Sequence, residues 1–470
     1  MSAPRLLSVL SMVARPLVAV LALAAPMASQ AQTAGAVSTV FAFNGSSPGG
    51  AVTLGTDGGY YGTSIANSLV TAGLVYRSTP DGSTVRTLHQ FTGLEASTPR
   101  AQLVLLNDGY LYGSTRFGDS SVANSTGTIY RIKPDGTGFE FLHRFTPWEV
   151  LNDNGLPVNV EGAFPESAML YASDAYLYGV TRAGGTHGTG VIYRIRPDGT
   201  SFGVVHEFGP VTSDTTTVPV RNVGGASPNG RLIEIGGFLY GVAAAGGTAG
   251  RGTVYRIALD GTGFEVLHEF TDLATTTPFG NADGASPLVG VTEVNGVAIY
   301  GVASTGGMNG VGTLYRIDLS TLAFTNLHSF DTPNGATPAG ELIVARDGRL
   351  VGTTNGGGTN PTGGTVSFGT IYSIATDGTD FQRLHTFTGD DGYGPAGALL
   401  QVNDTTFVGV ATSGGKCGFG TIYQFSSTGA TIEGNKTCGQ KKKNNGGGAG
   451  GEWFVLTLVA LAVARRRIGA

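Results

Sequence analysis

Short stretches of alternating apolar and polar residues recur along the whole chain, and each is bounded by Gly or Asp-Gly. The segment "GTVYRIALDGTGFEVLHEF", residues 252–270, contains two such stretches around one Asp-Gly. Alternation with a period of two and many Val, Ile, Tyr and Phe residues are typical of β-strands, and Asp-Gly is typical of tight turns between them. With 77 glycines in 470 residues, the pattern predicts an all-β protein with many turns.

Four such elements form a unit that occurs seven times. An element that often begins with proline, such as "PNGRLIEIGG", is followed by "LYGV", then by "GTVYRI", and then by "FEVLHEF". The tyrosine of the "GTVYRI" element recurs at steps of 51 to 63 residues, at Tyr76, Tyr130, Tyr193, Tyr255, Tyr315, Tyr372 and Tyr423. The repeat predicts seven sheets of four short strands each.

The "FEVLHEF" element has six copies with a histidine, and the N-terminal segment "VSTVFAFNG", residues 37–45, supplies the seventh copy with Phe41 in the histidine position. Seven four-stranded units, the last completed by the N-terminus, predict a seven-bladed β-propeller closed by the N-terminal strand. Ring closure leaves few exposed strand edges. The alternative is an open β-solenoid, which does not need the N-terminal fragment to complete its last unit.

The repeated histidine is predicted to be a packing element. His268 has the alternation parity of Phe264 and Phe270, so it points into the apolar layer between blades, where a buried imidazole needs a hydrogen-bond partner. Histidines spread around a ring cannot converge on one catalytic site. This structural repeat consists of His89, His143, His206, His268, His328 and His385.

Function is expected on one face of the ring. The turns after strands one and three of a blade are tight and often Asp-Gly, and they define a short-turn face. The loops between strands two and three share the opposite, long-loop face with the connections between blades, which lengthen after Phe145, Phe208 and Phe270. Length variation on a rigid scaffold indicates ligand recognition.

The candidate ligand-binding residues on the long-loop face are few. Trp148, Glu149 and Asp153 combine an aromatic surface with polar groups that suit a sugar or a peptide, and His187 in "GGTHGTG" is the one histidine outside the repeat register. The alternatives are a tryptophan that anchors its own loop and an exposed loop histidine. Asp390 and Asp391 are weak evidence for a bound cation.

The two ends of the chain differ from the repeats. Residues 1–31 contain two arginines, an apolar run and Ser-Gln-Ala, which predicts a signal peptide cleaved after Ala31. Residues 32–437 form the propeller, residues 438–452 a Gly/Lys/Asn-rich linker, and residues 453–470 a short apolar helix with an arginine cluster. Its twelve apolar residues rise ~18 Å, short of the ~30 Å hydrocarbon core, so only transient membrane contact is expected.

Charge and cysteine content narrow the function classes. Without the signal peptide and the tail, 20 Lys and Arg stand against 32 Asp and Glu, and an acidic body disfavours a nucleic-acid partner. Cys417 and Cys438 are predicted to form a disulfide in an exported protein; two free thiols are the alternative. The segment "STGATIEGNKTC" would then compete with the N-terminal strand for the outer position of the last blade.

No metal site, cofactor or catalytic residue is predicted, because no zinc-ligand cluster, phosphate-binding loop, nucleophile elbow or paired acid and base occurs in a fixed register.

Two resemblances add to this reading. Glycines, a short apolar helix and an arginine cluster resemble the GlyGly-CTERM sorting signal, which implies processing near Gly450 and Gly451 by a rhomboid-family protease at a bacterial surface. An uncut membrane anchor is the alternative. The repeats, including "LYGVTRAGGTHGTGVIYRIRPDGTSFGVVHEF" at 177–208, resemble the GloVer (Gloeo/Verruco) tandem repeat over roughly residues 35–430. That family implies bacterial export and no particular activity.

The sequence therefore predicts an exported, acidic propeller at or outside the cell surface that acts as a non-catalytic module binding a glycan, a peptide or a protein. One alternative is a carbohydrate-active or other hydrolytic enzyme with its site at the central opening of the long-loop face. Two carboxylates converging there within ~10 Å would favour it. The other alternative is a purely structural surface protein.

Overall fold

The computed structural model describes residues 35–66, 72–212, 221–359, 368–429 and 431. In these residues the regular structure is β-strand, and no helix is present. Seven antiparallel sheets form a seven-bladed β-propeller, so the predicted fold is confirmed. The predicted signal peptide, the linker, the C-terminal tail and Cys438 lie outside the described residues.

The first four blades follow the repeat in chain order. Blade 1 contains β2 (Ser46–Pro48), β3 (Thr53–Leu54), β4 (Tyr60–Ala66), β5 (Leu74–Ser78) and β6 (Val85–Gln90). Blade 2 contains β7 (Val104–Leu105), β8 (Leu111–Thr115), β9 (Thr128–Ile132) and β10 (Glu140–Arg144). Blade 3 contains β13 (Leu170–Tyr171), β14 (Leu177–Thr181), β15 (Val191–Ile195) and β16 (Gly203–Glu207). Blade 4 contains β17 (Asn222–Ile235), β18 (Phe238–Gly247), β19 (Thr253–Ala258) and β20 (Glu265–Glu269).

The remaining strands complete the ring. Blade 5 contains β21 (Thr292–Val294), β22 (Ala298–Ala303), β23 (Thr313–Asp318) and β24 (Phe324–Ser329). Blade 6 contains β25 (Ala336–Pro338), β26 (Ile343–Val344), β27 (Leu350–Gly356), β28 (Thr370–Ile374) and β29 (Gln382–Thr386). Blade 7 contains β30 (Tyr393–Asn403), β31 (Thr406–Ser413), β32 (Thr421–Ser426) and β1 (Ala36–Ala42). A small hairpin, β11 (Val150–Leu151) with β12 (Pro157–Val158), lies in the connection between blades 2 and 3.

The N-terminal strand closes the ring. β1 pairs antiparallel with β32, and Phe41 lies opposite Ile422, in the register that places His268 opposite Val254 in blade 4. The N-terminal segment therefore takes the outer position of the last blade, for which the segment after Tyr423 was the competing candidate.

The apolar core lies between the blades. Seven clusters of buried side chains each combine residues from two consecutive blades, and one of them joins Val408 and Val410 of blade 7 to Val52 and Tyr60 of blade 1. Since fully burying such a side chain is worth about 1.5–3 kcal/mol, the seams supply most of the driving force for the fold.

Within each blade, the strand-three tyrosine covers a glycine of strand two. Tyr255 lies opposite Gly241 across the β18–β19 ladder, and a Cβ on Gly241 would lie 2.6 Å from Tyr255 Oη. The aromatic ring of the tyrosine therefore needs a glycine beneath it, which explains the glycine in "LYGV". Tyr255 Oη is buried and makes no hydrogen bond within the described residues.

Each seam brings a glycine of one blade onto a proline of the next. Gly252 has a φ of +102°, which strains other residues, and its carbonyl accepts a hydrogen bond from Phe270 N at 3.1 Å. A Cβ on Gly252 would lie 2.6 Å from Pro287 Cδ. The same contact recurs at every seam: Gly73 with Pro99, Gly127 with Pro165, Gly190 with Pro228, Gly252 with Pro287, Gly312 with Pro338, Gly369 with Pro395, and Gly420 with Pro48.

The repeated histidines also lie at the seams. The His268 ring stacks on Phe324 of the next blade, with centroids 3.6 Å apart and planes 9° from parallel. Equivalent stacks join His89 to Phe139, His143 to Phe202, His206 to Phe264, and His328 to Phe381. The imidazoles thus act as flat packing surfaces between blades.

The short-turn face is uniform. Asp260 Oδ1 accepts hydrogen bonds from Thr262 N at 2.9 Å and Thr262 Oγ1 at 2.7 Å. The same arrangement occurs at Asp135, Asp198 and Asp377. These side chains fold back on their own backbone, as Asp in turns commonly does, so they have a structural role.

The seam contact predicts the effect of one methyl group. We expect Gly252→Ala to destabilise the propeller by more than about 1 kcal/mol, because Ala is strained at this φ and its Cβ would overlap Pro287. Gly348→Ala is the control: Gly348 has a φ of +83° and nothing within 4 Å of an added Cβ. Urea unfolding measures both changes. A loss for Gly348→Ala as large as that for Gly252→Ala would contradict the role of the Gly–Pro contact.

Candidate binding site

On the long-loop face, a hydrogen-bonded asparagine fixes the end of each of the three long connections between blades. Asn222 ends the long connection between blades 3 and 4: its Nδ2 donates to Gly209 O at 3.0 Å and Gly225 O at 2.6 Å, and its Oδ1 accepts from Gly225 N at 2.8 Å. Asn159 and Asn281 make equivalent bonds in the other two long connections. Because each amide uses donors and acceptor together, it fixes where the insertion rejoins the ring.

Three of the predicted ligand-binding residues lie in the connection between blades 2 and 3. Trp148 is half-buried, and its carbonyl accepts a hydrogen bond from Asn124 Nδ2 of the neighbouring loop at 3.0 Å. Glu149 and Asp153 are exposed. The backbone of Trp148 is therefore anchored, and the residue as a whole is only half-buried.

The fourth predicted residue, His187, lies beside the β11–β12 hairpin. Asn152 Nδ2 donates to His187 O at 2.8 Å, so the turn that contains Asp153 is held against the strand two to three loop of blade 3. In the described part of the chain, no hydrogen bond or ring contact joins the side chains of Trp148 and His187. The structure thus joins the turn that contains Asp153 to the loop that contains His187.

A cavity of about 160 Å³ lies at the centre of the ring. All seven blades line it with the residues that follow the repeated proline. That proline comes directly after the inter-blade connection, so the cavity lies towards the long-loop face. Most of its lining is Gly, Ala or other uncharged residues, but four charged side chains reach it: Arg100, Glu166, Arg231 and Glu341.

Both carboxylates of the cavity are paired with arginines. Glu166 Oε1 lies 2.5 Å from Arg116 Nη1, and its Oε2 lies 4.0 Å from Arg182 Nη1. Glu341 Oε1 accepts a hydrogen bond from Arg231 Nη2 at 3.1 Å. Arg231 belongs to blade 4 and Glu341 to blade 6, so this pair spans blade 5.

Burial and charge shift two groups around the cavity. Burial raises the pKa of Glu341 above its usual value, although Arg231 opposes this shift. Burial also lowers the pKa of Arg116, and the positive charges of Arg100 and Arg182 lower it further against the opposing effect of Glu166. Positive charge therefore exceeds negative charge around Glu166.

The sequence reasoning missed these charged residues. Each lining residue follows a repeated proline by one to three positions, where other units have Gly, Ala, Leu or Val, as in "PGGA", "PLVG" and "PAGA". Charged residues in "PRAQ", "PESA", "PNGR" and "PAGE" depart from that pattern. This departure is visible in the sequence. Only the propeller topology shows that these charged residues, from four different blades, line the same cavity.

The repeated histidines take no part in the cavity lining. His268 Nε2 lies 2.9 Å from Asp283 Oδ2; burial alone would raise the pKa of Asp283, but hydrogen bonds from His268 and Thr271 hold it below its usual value. Three more histidines have a carboxylate from the following connection within 2.7–3.3 Å: His89 has Glu95, His143 has Glu161, and His385 has Asp391. Asp391, considered above as a weak cation ligand, is thus the partner of the seam histidine His385.

In the part of the chain that the structure describes, no group of three or more His, Cys, Asp or Glu residues is placed to hold a metal ion. Within the same residues, no helix has the length and apolarity needed to cross a membrane. Cys417 lies in the strand two to three loop of blade 7, and its predicted partner is outside the described residues, so the disulfide stays a prediction.

Residues 215–366 match the model of the Gloeobacter/Verrucomicrobia repeat family. This match covers blades 4 and 5 and the first strands of blade 6, and it supports the repeat family that the sequence resembles. No curated protein matches the chain.

Several solved structures are similar to this chain. The GH74 enzyme of Niastella koreensis is 13% identical over 80% of this chain and 52% of its own, with a TM-score of 0.50, so the chain spans about half of that enzyme. A nidogen/laminin complex is 16% identical over 60% and 80%, with a TM-score of 0.35. An oligogalacturonate lyase in complex with manganese is 13% identical over 75% and 82%, with a TM-score of 0.43. At such low identity the likeness concerns the fold alone.

The seam histidines predict a pH dependence of stability. Burial lowers the pKa of His328, so below about pH 6.5 the unfolded chain binds the proton first and the folded state loses stability. We expect His328→Phe to change the free energy of unfolding at pH 7 by less than about 1 kcal/mol, because Phe41 holds this position in blade 7. The variant should also lose less stability on acidification, as measured by urea unfolding.

The matched control is His268→Phe. Its partner Asp283 is only 9% exposed, and loss of the imidazole would leave that carboxylate short of a donor at a cost of about 1–3 kcal/mol at pH 7. Equal destabilisation by the two substitutions at pH 7 would show that the carboxylate partner makes no difference.

Proposed function

We propose that this chain is an exported surface protein whose propeller binds a glycan or a peptide on the long-loop face without catalysing a reaction. The distribution of exposed apolar side chains supports this proposal. Among the described residues, eleven of the fifteen exposed large apolar side chains lie on that face. They are Leu94, Phe117, Val122, Val150, Leu151, Val160, Val223, Phe279, Leu288, Met308 and Tyr393.

The contrast between the two faces supports the same proposal. Repeated Asp side chains on the short-turn face satisfy their own turns, whereas the long-loop face carries insertions of different sequence on three similar Asn anchors. The concentration of exposed apolar side chains on one of the two faces favours that face for interaction with a partner. The Asn anchors would limit the entropy lost when a ligand binds.

A hydrolytic enzyme is the second candidate, because Glu166 and Glu341 line one cavity and burial raises the pKa of Glu341. A protonated and an ionised carboxylate in one site are the pattern of glycoside hydrolysis. Against this candidate, an arginine within 3.1 Å engages each carboxylate. Both groups already serve as internal ion-pair partners, so we favour binding.

Glycan and peptide arrays test the proposal. We expect the purified protein to bind a subset of array ligands, and Trp148→Ala to weaken that binding about tenfold, because removal of an interface tryptophan commonly costs more than 1 kcal/mol. Tyr171→Ala is the matched control: Tyr171 is 46% exposed but lies on the short-turn face. Its binding should equal that of the parent.

The array result also separates the alternatives. Hydrolysis of a polysaccharide or peptide that Glu341→Gln abolishes, without stable binding to any array, would establish the enzyme instead. Absence of both binding and hydrolysis would leave a purely structural surface protein.

Export and processing are part of the same proposal. Removal of the signal peptide after Ala31 would release the propeller to the cell exterior, and the tail would contact the membrane only transiently before processing near Gly450 and Gly451. The partners at these steps are the export machinery and a rhomboid-family protease. A Cys417–Cys438 disulfide would fasten the root of the tail to blade 7.

Intact-mass measurement of the surface-released protein tests the processing. We expect an N-terminus at Gln32 and a C-terminus near Gly451, because signal peptides end in a small-residue cleavage site and the apolar tail is too short for a stable membrane span. Thiol labelling without reductant should modify neither cysteine. A released protein that retains Trp453 would contradict the processing.

A further inference from the structure

The lining of the central cavity contains two arginines and two glutamates. Two further arginines, Arg116 and Arg182, pair with Glu166 from outside the lining, so arginines outnumber carboxylates in and around the cavity. Arg100, Arg116 and Arg182 surround a single carboxylate, Glu166, closely enough for their charges to affect one another. The whole chain has 33 Asp and Glu against 28 Lys and Arg. The arginines at the centre therefore stand out from an acidic background.

Arg100 is the cation of this group that remains available. It is exposed, it lines the cavity, and it forms no ion pair within the described residues. Arg116, in contrast, is fixed between Glu166 and the rings of Phe117 and Phe164. The two carboxylates of the cavity are already occupied by arginines, so an anion is the ligand that this charge distribution suits.

The size of the cavity limits the anionic group. A volume of about 160 Å³ is below the ~300–1,000 Å³ of typical pockets for drug-sized ligands, so it suits one side chain or one chain end. Leu288 and Val289 line the cavity beside its charged groups, and Leu288 is among the exposed apolar side chains of the long-loop face. Aliphatic groups around a cationic centre fit a peptide with a carboxylate among apolar residues better than a polyhydroxylated sugar.

We propose that the cavity receives a carboxylate of a peptide or protein partner, and that Arg100, a lining arginine with no ion pair in the described residues, binds it. The inference rests on the proposed binding function and specifies its ligand. A guanidinium binds a carboxylate through two parallel hydrogen bonds. The surrounding apolar side chains would hold the residues on either side of the carboxylate.

A peptide array with matched members tests the inference. Random dodecapeptides are printed in pairs that differ only by Glu or Gln at the central position, and the purified full protein is applied at low and high salt. We expect the Glu member to bind more strongly in most pairs that bind at all, by about tenfold, because hydrogen bonds to charged groups are worth about 1.5–3 kcal/mol. Salt should reduce the difference.

Two variants locate the effect. Arg100→Gln should abolish the preference for Glu over Gln. Arg346→Gln, which removes the same charge from an exposed pair with Asp404 on the short-turn face, should retain it. Binding that ignores the Glu/Gln difference, or that is confined to glycans, would overturn the inference and leave the proposed binding function intact. Absence of binding to every peptide and glycan would overturn both.

Discussion

The propeller depends on a close approach between consecutive blades. At each seam a glycine carbonyl accepts the amide hydrogen of the phenylalanine that ends the outer strand, and the missing Cβ of that glycine admits a proline of the next blade. The same contact joins Gly420 of blade 7 to Pro48 of blade 1, so the seam that closes the ring has the same structure as the other six. Neither blade could shift outward without exposing the apolar cluster between them.

The sequence predicted the propeller because its two determinants, the alternation of apolar and polar residues and the repetition of the four-strand unit, can both be read along the chain. Alternation gave the strands, and repetition gave the number of blades and the role of the N-terminal segment. Strand parity correctly placed His268 in a layer between blades, but it was wrong to give His268 and Phe264 the same side. A β-bulge between Val266 and His268 puts Phe264 at the seam with blade 3 and His268 at the seam with blade 5. The partner of His268 did not follow from the sequence, because the carboxylate comes from a connection of variable length: Glu95 follows His89 by six residues, whereas Asp283 follows His268 by fifteen.

The candidate site was harder to predict for a related reason. Trp148 and His187 were selected by residue type, and the sequence has no information on how a long connection folds back over its blade. The charged residues of the cavity are far apart in the chain. Arg231 and Glu341 are separated by 110 residues, and only the ring places both at the centre. A charged residue one to three positions after the repeated proline is a departure from the repeat, and the propeller topology shows that all such residues line one cavity.

The position of β32 has a mechanical consequence. β32 leads into the C-terminal tail. It is not an edge strand of its blade, because it pairs with β31 on one side and with β1 on the other. A pull on the tail would therefore load two ladders of backbone hydrogen bonds at once, along the strand direction. An edge strand under the same pull would load only one ladder. The strand that closes the ring would thus also resist force at the point where the tail leaves it.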